Sequence, residues 1–209
     1  MLLPEIGINL HYYEGVNVSK NTYKLTDYTE RISKAIEKID VENWNRSAEL
    51  IYEVWKNNGN VYLAGNGGSA STVNHFLVDW TKGLSHVCGK ALKAHSLVSD
   101  LPTITAISND IDYEKVFSEQ LSYFANRGDL LLTVSGSGNS RNLIDLVITA
   151  QSLDLKTIAL TGFDGGRLGE LVDINANVHF DNMQIVEDVH SMFGHFVLEF
   201  IHTQQTSGL

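Results

Sequence analysis

Two stretches of the chain decide its fold: VYLAGNGGSA at residues 61–70 and LLLTVSGSGNS at residues 130–140. Each begins as a short apolar run and ends in a turn rich in glycine, asparagine and serine, and a helical pattern follows. This order predicts strand, turn and helix, the repeating unit of a parallel sheet with helices on both faces. Ligands of such sheets bind at the carboxyl ends of the strands, so we expect both turns to face one crevice.

The same alternation continues through the chain after Gly59 and predicts an α/β fold. The predicted strands are Val61–Ala64, His95–Val98, Leu130–Val134, Thr157–Leu160 and Ile174–Val178. The predicted helices are Ala70–Trp80, Asp112–Ala125, Ser140–Ser152, Arg167–Val172 and Asn182–Thr203. Together they predict a parallel sheet of five strands between two layers of helices.

Two helical patterns precede the α/β alternation, within the first 58 residues. Residues 1–20 have no clear period, whereas Leu25–Ile39 and Glu42–Lys56 have apolar residues at helical spacing, and Asp27 is a candidate N-cap. The second helix should end at the turn residues 57–59. We expect a single domain in which residues 1–58 form a helical arm, suited to oligomerisation, and residues 59–209 form the α/β core.

Composition excludes several classes of function. The 209 residues are 43% apolar, enough for a full core, and the formal net charge is −10. Scattered lysines and arginines on an acidic chain argue against binding to nucleic acid or to an anionic membrane. Cys88 is the only cysteine, no signal sequence is recognisable, and no apolar run could span a bilayer, so we expect a cytoplasmic protein.

The second turn, residues 135–140, has the features of a phosphate site. It leaves a buried strand and opens a helix, so free backbone N–H groups and the positive helix end point into it. Ser135, Ser137 and Ser140 add three hydroxyls that could surround a phosphate monoester without help from lysine or arginine. The alternative is an ordinary serine-rich turn whose hydroxyls only cap the helix.

The first turn, residues 65–70, also fits the dinucleotide fingerprint G-x-G-x-x-A after a strand. A nucleotide site would need an acidic residue about 20 positions later, at the end of the next strand. Asp79 comes too early and falls within a predicted helix. The turn alone is therefore weak evidence for a nicotinamide cofactor.

Histidines and carboxylates recur at helical spacing on two predicted helices. His75 and Asp79 are four residues apart on one helix, and Glu187 and His195 are eight apart on the last helix, each pair on one face. Two histidines and two carboxylates form a credible tetrahedral zinc set. Each pair alone is more often a surface contact. His190 could support such a site through a hydrogen bond or could be a surface histidine, and the remaining candidates look solvated: Asp188, Glu199 and His202.

These motifs together resemble the sugar-isomerase (SIS) domain family, and within it the phosphoheptose isomerases. The resemblance rests on residues 65–69 followed by His75 and Asp79, on residues 135–140, and on the spacing from Glu187 to His195. It covers nearly the whole chain.

The resemblance implies a flavodoxin-like sheet, a homotetramer with active sites at subunit contacts, and conversion of sedoheptulose 7-phosphate to D-glycero-D-manno-heptose 7-phosphate for bacterial lipopolysaccharide or capsule. It makes His75, Asp79, Glu187 and His195 zinc ligands, and Asp79 and His195 also the catalytic acid/base pair. The implied substrate-binding residues are Asn66, Gly67, Gly68, Ser69, Asp79, Asn109, Asp110, Ser135, Gly136, Ser137, Ser140 and Glu187. Without the resemblance, Asn109 and Asp110 are equally typical of an ordinary turn.

The chain departs from the family pattern at three positions. Asp79 stands where glutamate is typical, Glu187 where glutamine is typical, and Lys82 near a position where arginine is common. The shorter Asp79 side chain leaves open an isomerase for another sugar phosphate. A non-catalytic SIS module of the DnaA-associating type also stays open, although all four ligand positions keep groups that can bind a metal.

Overall fold

The structure is a computed structural model that describes residues 23–206. Its sheet has five parallel strands in the order β2-β1-β3-β4-β5, the flavodoxin-like order that the resemblance implied. The strands are β1 (Asn60–Gly65), β2 (Lys93–Ser96), β3 (Leu130–Ser135), β4 (Lys156–Gly162) and β5 (Ile174–Val178). The strand order reverses between β1 and β3, and the crevice for ligands lies at the carboxyl ends of these two strands.

Helices cover both faces of the sheet. They are α1 (Leu25–Ile36), α2 (Val41–Lys56), α3 (Gly68–Val78), α4 (Leu84–Cys88), α5 (Leu101–Asp110), α6 (Ser118–Phe124), α7 (Arg141–Ser152), α8 (Gly166–Leu171) and α9 (Met183–Thr206). A π-helical turn, Asp79–Gly83, joins α3 to α4, and a 3₁₀ turn, Tyr113–Lys115, precedes α6. Among residues 23–206, no helix is both long and apolar enough to cross a membrane.

The core has two layers, one on each face of the sheet. Ile51 of α2, Phe76 of α3 and Phe193 of α9 are buried in the first layer. Leu121 of α6 and Leu146 of α7 are buried in the second. Strand β3 lies between the layers and is buried at every position, which is why its sequence is mostly apolar, with only Thr133 and Ser135 polar.

The N-terminal helices α1 and α2 pack against the α/β core. Trp44 and Ile51 of α2 are buried in the core, so α2 covers the sheet and is not detached from it. Helix α1 ends at Ile36, three residues before the predicted end, and Ile39 pairs with Val178 of β5 in an isolated bridge. The prediction for residues 1–20 lies outside the described residues, and the role in oligomerisation stays a prediction.

Several elements differ from the sequence-based prediction: helix α4 was not predicted, and the N-cap residue of α1 is Lys24 instead of Asp27. Strand β2 lies two residues earlier than predicted, because it is an edge strand with Lys93 and His95 exposed, and the apolar residue Leu97 follows the strand. Helix α5 was not predicted. The predicted helix Asp112–Ala125 is also wrong in part, since its first half forms only the short 3₁₀ turn.

Candidate active site

The serine turn, residues 135–140, links β3 to α7. The N–H of Gly138 donates to Oγ of Ser135 at 3.2 Å, and the N–H of Asn139 donates to Oγ of Ser137 at 3.3 Å. Both hydroxyl oxygens are therefore used as acceptors, and neither hydroxyl donates a hydrogen bond to another group among residues 23–206. Ser140 is the N-cap residue of α7, but its side chain makes no cap hydrogen bond within the described chain. Ser140 therefore does not cap α7 through its side chain, and the role of the three hydroxyls in phosphate binding stays a prediction.

Close packing holds the serine turn in place. Gly138 has a φ of +66°, and a Cβ atom there would lie 2.0 Å from the carbonyl oxygen of Gly165. Gly136 accepts a hydrogen bond from the N–H of Gly162 at 2.9 Å, and Gly138 accepts one from the N–H of Leu168 at 2.9 Å. Glycine is required at Gly138 for both its conformation and its close approach to the neighbouring loop.

A small polar pocket of about 110 Å³ lies against the serine turn. Its walls are Asn66, Ser69, Val134, Ser135, Gly136, Ser137, Ser140, Met183 and Glu187. The hydroxyls of one turn thus face the start of the other, as expected for two turns at the carboxyl ends of neighbouring strands. The pocket combines hydroxyl donors with the N-terminus of α7, which suits an anion.

The histidine–aspartate cluster, His75, Asp79 and His195, lies where α3 and the π-helical turn meet α9. Oδ2 of Asp79 is 3.4 Å from Nε2 of His75 and 3.4 Å from Nε2 of His195. The two imidazole rings are 5.0 Å apart between centroids. Oδ2 is buried and has no hydrogen-bond partner among residues 23–206.

A close contact between helices brings the cluster together. A Cβ atom on Gly194 would lie 2.2 Å from Cδ1 of Phe76, so only glycine allows α9 to approach α3 this closely. Nε1 of Trp80 donates to the carbonyl oxygen of Gly194 at 3.0 Å and secures the approach. His195 follows Gly194 directly, and its ring is thereby placed beside His75.

The cluster has the composition of a catalytic metal site. One ligand atom from each of the three residues lies within 4.8 Å of the others. Two imidazole nitrogens and one carboxylate oxygen are the usual three protein ligands of catalytic zinc sites that keep a further position open. The unpartnered Oδ2 of Asp79 between two ring nitrogens fits a cation, because a buried carboxylate oxygen otherwise lacks compensation for its lost hydration.

Glu187 is the fourth predicted ligand, but the structure does not bring it into the cluster. It lines the pocket of the serine turn, and its carboxylate oxygens lie 3.0 and 3.1 Å from the position of a Cβ on Gly68, at the start of α3. Glu187 and His195 share a face of α9, but eight residues separate them by about 12 Å along the helix axis. Burial, followed by repulsion from Asp188, raises the pKa of the Glu187 carboxyl. Its ligand role stays a prediction.

An ordinary turn was one interpretation of Asn109 and Asp110, and the structure shows that it is wrong. They are the last two residues of α5, both exposed, and Nδ2 of Asn109 donates to Oδ1 of Asp110 at 2.8 Å. Neither residue lines the pocket of the serine turn. Their contact with a sugar chain stays a prediction.

His190 is fully buried, so the surface alternative for this residue is wrong. Its Nε2 lies 3.0 Å from the carbonyl oxygen of Thr161 at the end of β4. Burial lowers the pKa of His190 to about 4, although the hydrogen bond to Thr161 opposes the shift. The ring is therefore neutral at pH 7, with Nε2–H as the donor, and it ties α9 to the sheet between Glu187 and His195.

Sequence reasoning missed two residues near the turns, Tyr113 and Asn142. Both hydrogen-bond to the side chain of Asn66. Asn142 is an asparagine at the second position of α7 with 3% of its surface exposed. Buried amides are rarely left without a partner, but the burial of Asn142 is seen only in the structure, and no sequence pattern indicated it.

Comparison with known proteins agrees with these features. The sequence pattern of the SIS domain family matches residues 25–162. The chain is 37% identical to the phosphoheptose isomerase of Aliarcobacter butzleri over 177 residues, which is 85% of this chain and 93% of that protein. It is 34% identical to the probable phosphoheptose isomerase of Thermoplasma volcanium, over 85% of this chain and 90% of that one.

Solved structures give the same result. The phosphoheptose isomerase GmhA of Neisseria gonorrhoeae superimposes with a TM-score of 0.79 at 32% identity, over 86% of this chain and 97% of that one. A phosphoheptose isomerase of Francisella tularensis has a TM-score of 0.80 at 29% identity, over 86% and 96% of the two chains. Because these relatives are phosphoheptose isomerases, the matches argue against a dinucleotide-binding site at the first turn. The chain therefore belongs to the SIS domain family, in its phosphoheptose isomerase branch.

Proposed function

We propose that this protein isomerises sedoheptulose 7-phosphate to D-glycero-D-manno-heptose 7-phosphate, for bacterial lipopolysaccharide or capsule. The observation that carries the proposal is the pairing of a serine pocket whose hydroxyl protons are free with a carboxylate between two histidines. Both groups contact α9, at positions about 12 Å apart along its axis. This separation suits an open-chain sugar whose phosphate is several carbons away from its carbonyl.

The serine turn would bind the phosphate. Hydroxyl protons of Ser135, Ser137 and Ser140, together with the N-terminus of α7, supply the donors. Gly67, Gly68 and Ser69 would line the sugar chain from the first turn, with Asn109 and Asp110 as further predicted contacts. The net charge of −10 explains why such local capture is needed, since the whole protein repels an anion.

Asp79 and His195 would carry out the proton transfers. Asp79 takes a proton from C1 while His195 protonates the oxygen on C2, which gives an enediol. Return of the proton from Asp79 to C2, with loss of the C1 hydroxyl proton to His195, gives the aldose. The atoms and electrons balance, and no external oxidant or reductant is needed.

Zinc would be held by His75, Asp79 and His195, with Glu187 as the predicted fourth ligand, and would polarise the carbonyl when bound. Asp79 has two carboxylate oxygens, so Oδ2 facing the histidines leaves Oδ1 for the proton. His195 faces Asp79 with Nε2, and a single ring nitrogen cannot bind zinc and carry a proton at the same time. Its functions as ligand and as acid exclude one another at any one moment.

Proton NMR of the purified protein with sedoheptulose 7-phosphate tests the proposal. We expect the signal of an aldose heptose to grow, and we expect other ketose phosphates to react much more slowly. A protein that converts only another sugar phosphate, or none, would contradict the proposal. The assay with added zinc, and again after chelation, separates the two roles of His195: activity that survives chelation supports the acid, and activity that needs zinc supports the ligand.

We also propose a homotetramer with active sites at subunit contacts, in the cytoplasm. Apolar side chains are exposed on the helices that carry or flank the cluster: Val78 of α3, Val87 of α4 and Met192 of α9. A neighbouring subunit would cover them. Light scattering of the purified protein should give four times the mass of the chain, and a monomer would contradict this assembly.

A further inference from the structure

The two ligand turns are joined by a pair of side-chain amides. Asn66 is the first residue after β1, and Asn142 is the second residue of α7, directly behind the serine turn. Nδ2 of Asn66 donates to Oδ1 of Asn142 at 2.9 Å, and Nδ2 of Asn142 donates to Oδ1 of Asn66 at 2.9 Å. This amide pair, Asn66 and Asn142, connects turns that come from neighbouring strands of the sheet.

A count of hydrogen bonds shows what Asn66 has left for a ligand. Its Oδ1 accepts from Asn142 and also from the hydroxyl of Tyr113 at 3.1 Å, which uses both lone pairs. Its Nδ2 has two N–H groups, and one of them is used by Asn142. Within the part of the chain that the structure describes, the second N–H has no partner, and Asn66 lines the pocket of the serine turn.

We propose that Asn142 is a positioning residue for the isomerase reaction. By fixing the amide plane of Asn66, it directs the remaining N–H of Asn66 at an oxygen of the sugar chain. The proposal rests on the proposed function, because it takes an open-chain sugar phosphate as the ligand. Asn142 itself is buried behind the turn and does not line the pocket, so it should act through Asn66 and not on the substrate directly.

Tyr113 supports the same arrangement more weakly. It belongs to the 3₁₀ turn, which two ion pairs join to α7: Glu114 with Arg141 at 3.1 Å and Lys115 with Asp145 at 2.6 Å. These pairs are partly exposed, and such pairs add little stability. Tyr113→Phe removes one of the two donors to Oδ1 of Asn66, so its effect should be smaller than that of Asn142→Ala.

The test is a double-mutant cycle on the full chain with sedoheptulose 7-phosphate as substrate. Asn66→Ala and Asn142→Ala should each lower kcat/KM by about 10- to 100-fold, because a misplaced positioning group costs up to about that much. The double variant should fall little further than Asn66→Ala alone, since Asn142 acts only through Asn66. The inhibition constant of inorganic phosphate should change less than about twofold in Asn142→Ala, because the serine turn stays intact.

Gln120→Ala is the matched control. Gln120 is another buried amide, 4% exposed, and it donates to the carbonyl oxygens of Leu97 and Val116. Its loss should lower the melting temperature and leave kcat/KM unchanged. Parental kcat/KM in Asn142→Ala, losses that multiply in the double variant, or a parallel loss of phosphate inhibition would each overturn the proposal.

A measurement without substrate keeps this inference separate from the proposed function. In nitrogen-15 NMR spectra, one side-chain amide proton of Asn66 should exchange slowly with water in the parent protein and rapidly in Asn142→Ala. If the parent protein turns over no sedoheptulose 7-phosphate, the proposed function fails. Rapid exchange of both Asn66 amide protons in the parent protein would overturn the amide pair itself.

Discussion

The serine turn and the histidine–aspartate cluster are built in opposite ways. The serine turn takes all of its side chains from six consecutive residues, and its backbone N–H groups donate to its own hydroxyl oxygens, although the neighbouring loop at Gly165 also packs against it. The cluster has two residues around α3 and one on α9, and it exists only because Gly194 lets these helices approach. Binding of the phosphate and chemistry at the carbonyl should therefore respond to different substitutions.

Asp79→Asn should have the largest effect, and it should affect the cluster alone. Loss of the base should lower turnover by at least about 10²-fold, the usual contribution of a positioned acid or base. Inorganic phosphate should inhibit or bind as in the parent protein, measured by calorimetry, because the serine turn does not contact Asp79. Full activity in this variant would show that Asp79 is not the base.

His190 lies on α9 between the two regions. Its protonation should lower the free energy of unfolding as the pH falls. Its pKa is lowered from 6.5 to about 4 in the folded protein, so the unfolded chain binds the extra proton first as the pH falls. The linked stability is complete above pH 6.5 and is lost progressively toward pH 4, by up to about 3 kcal/mol. Urea unfolding across this range measures it.

His190→Gln is the control for that titration. Glutamine can still donate to the carbonyl oxygen of Thr161 but does not titrate, so the dependence on pH should become flatter between pH 6.5 and 4. An unchanged slope in this variant would assign the acid sensitivity to other groups.

Removal of two serine hydroxyls should have a moderate effect and should affect the serine turn alone. Ser137→Ala with Ser140→Ala should weaken phosphate binding by about 1–3 kcal/mol, since each hydroxyl donates a hydrogen bond to a charged group. Metal affinity, measured by competition with a chelator, should stay at the parental value. Phosphate affinity equal to that of the parent protein would place the phosphate elsewhere.

Glu187 lies between the two regions, and its replacement should have the smallest effect. Glu187→Gln should bind inorganic phosphate more tightly by about 1 kcal/mol, the order of one charge interaction at about 4 Å in water, because a negative charge leaves the anion pocket. Turnover at saturating zinc should be maintained. Unchanged phosphate affinity in calorimetry would show that the carboxylate does not face the bound anion.

Glu187→Leu then tests the predicted fourth ligand. Leucine has no donor atom, so this variant should lose zinc to a chelator much more readily than Glu187→Gln if Glu187 binds the metal. Equal retention of zinc in both variants and in the parent protein would remove Glu187 from the ligand set.

The same contrast explains how much of the structure could be predicted from the sequence. Strand β3 is buried on both faces and begins as the apolar run Leu130–Leu132, and its predicted bounds were correct within one residue. Edge strand β2 carries Lys93 and His95 at its surface, which shifted the prediction toward the apolar residues after it. Helix α5 is rich in β-branched residues that favour strands, and only its cap residue Asp100 and Pro102 indicate a helix.

The candidate active site also has parts that the local sequence indicates and parts that depend on how distant elements approach one another. The serine turn could be predicted because six adjacent residues contain all of its chemistry. Spacing placed His75 with Asp79 and Glu187 with His195 on shared faces, but a shared face does not give the position along the helix axis. The structure consequently groups His195 with the first pair and leaves Glu187 beside the serine turn. The amide pair depends on the approach of two turns, which no local pattern reports.

Hydrogen exchange at C1 of sedoheptulose 7-phosphate tests the central claim most directly. In D₂O, deuterium that enters the Asp79 carboxyl should be delivered to C2 as the aldose forms and to C1 when the enediol returns to the ketose. Asp79→Asn should incorporate deuterium at least about 10²-fold more slowly while binding phosphate normally. The Ser137→Ala, Ser140→Ala variant should exchange at a near-parental rate once saturated with substrate. Aldose formation or deuterium incorporation at the parental rate in Asp79→Asn would contradict the account.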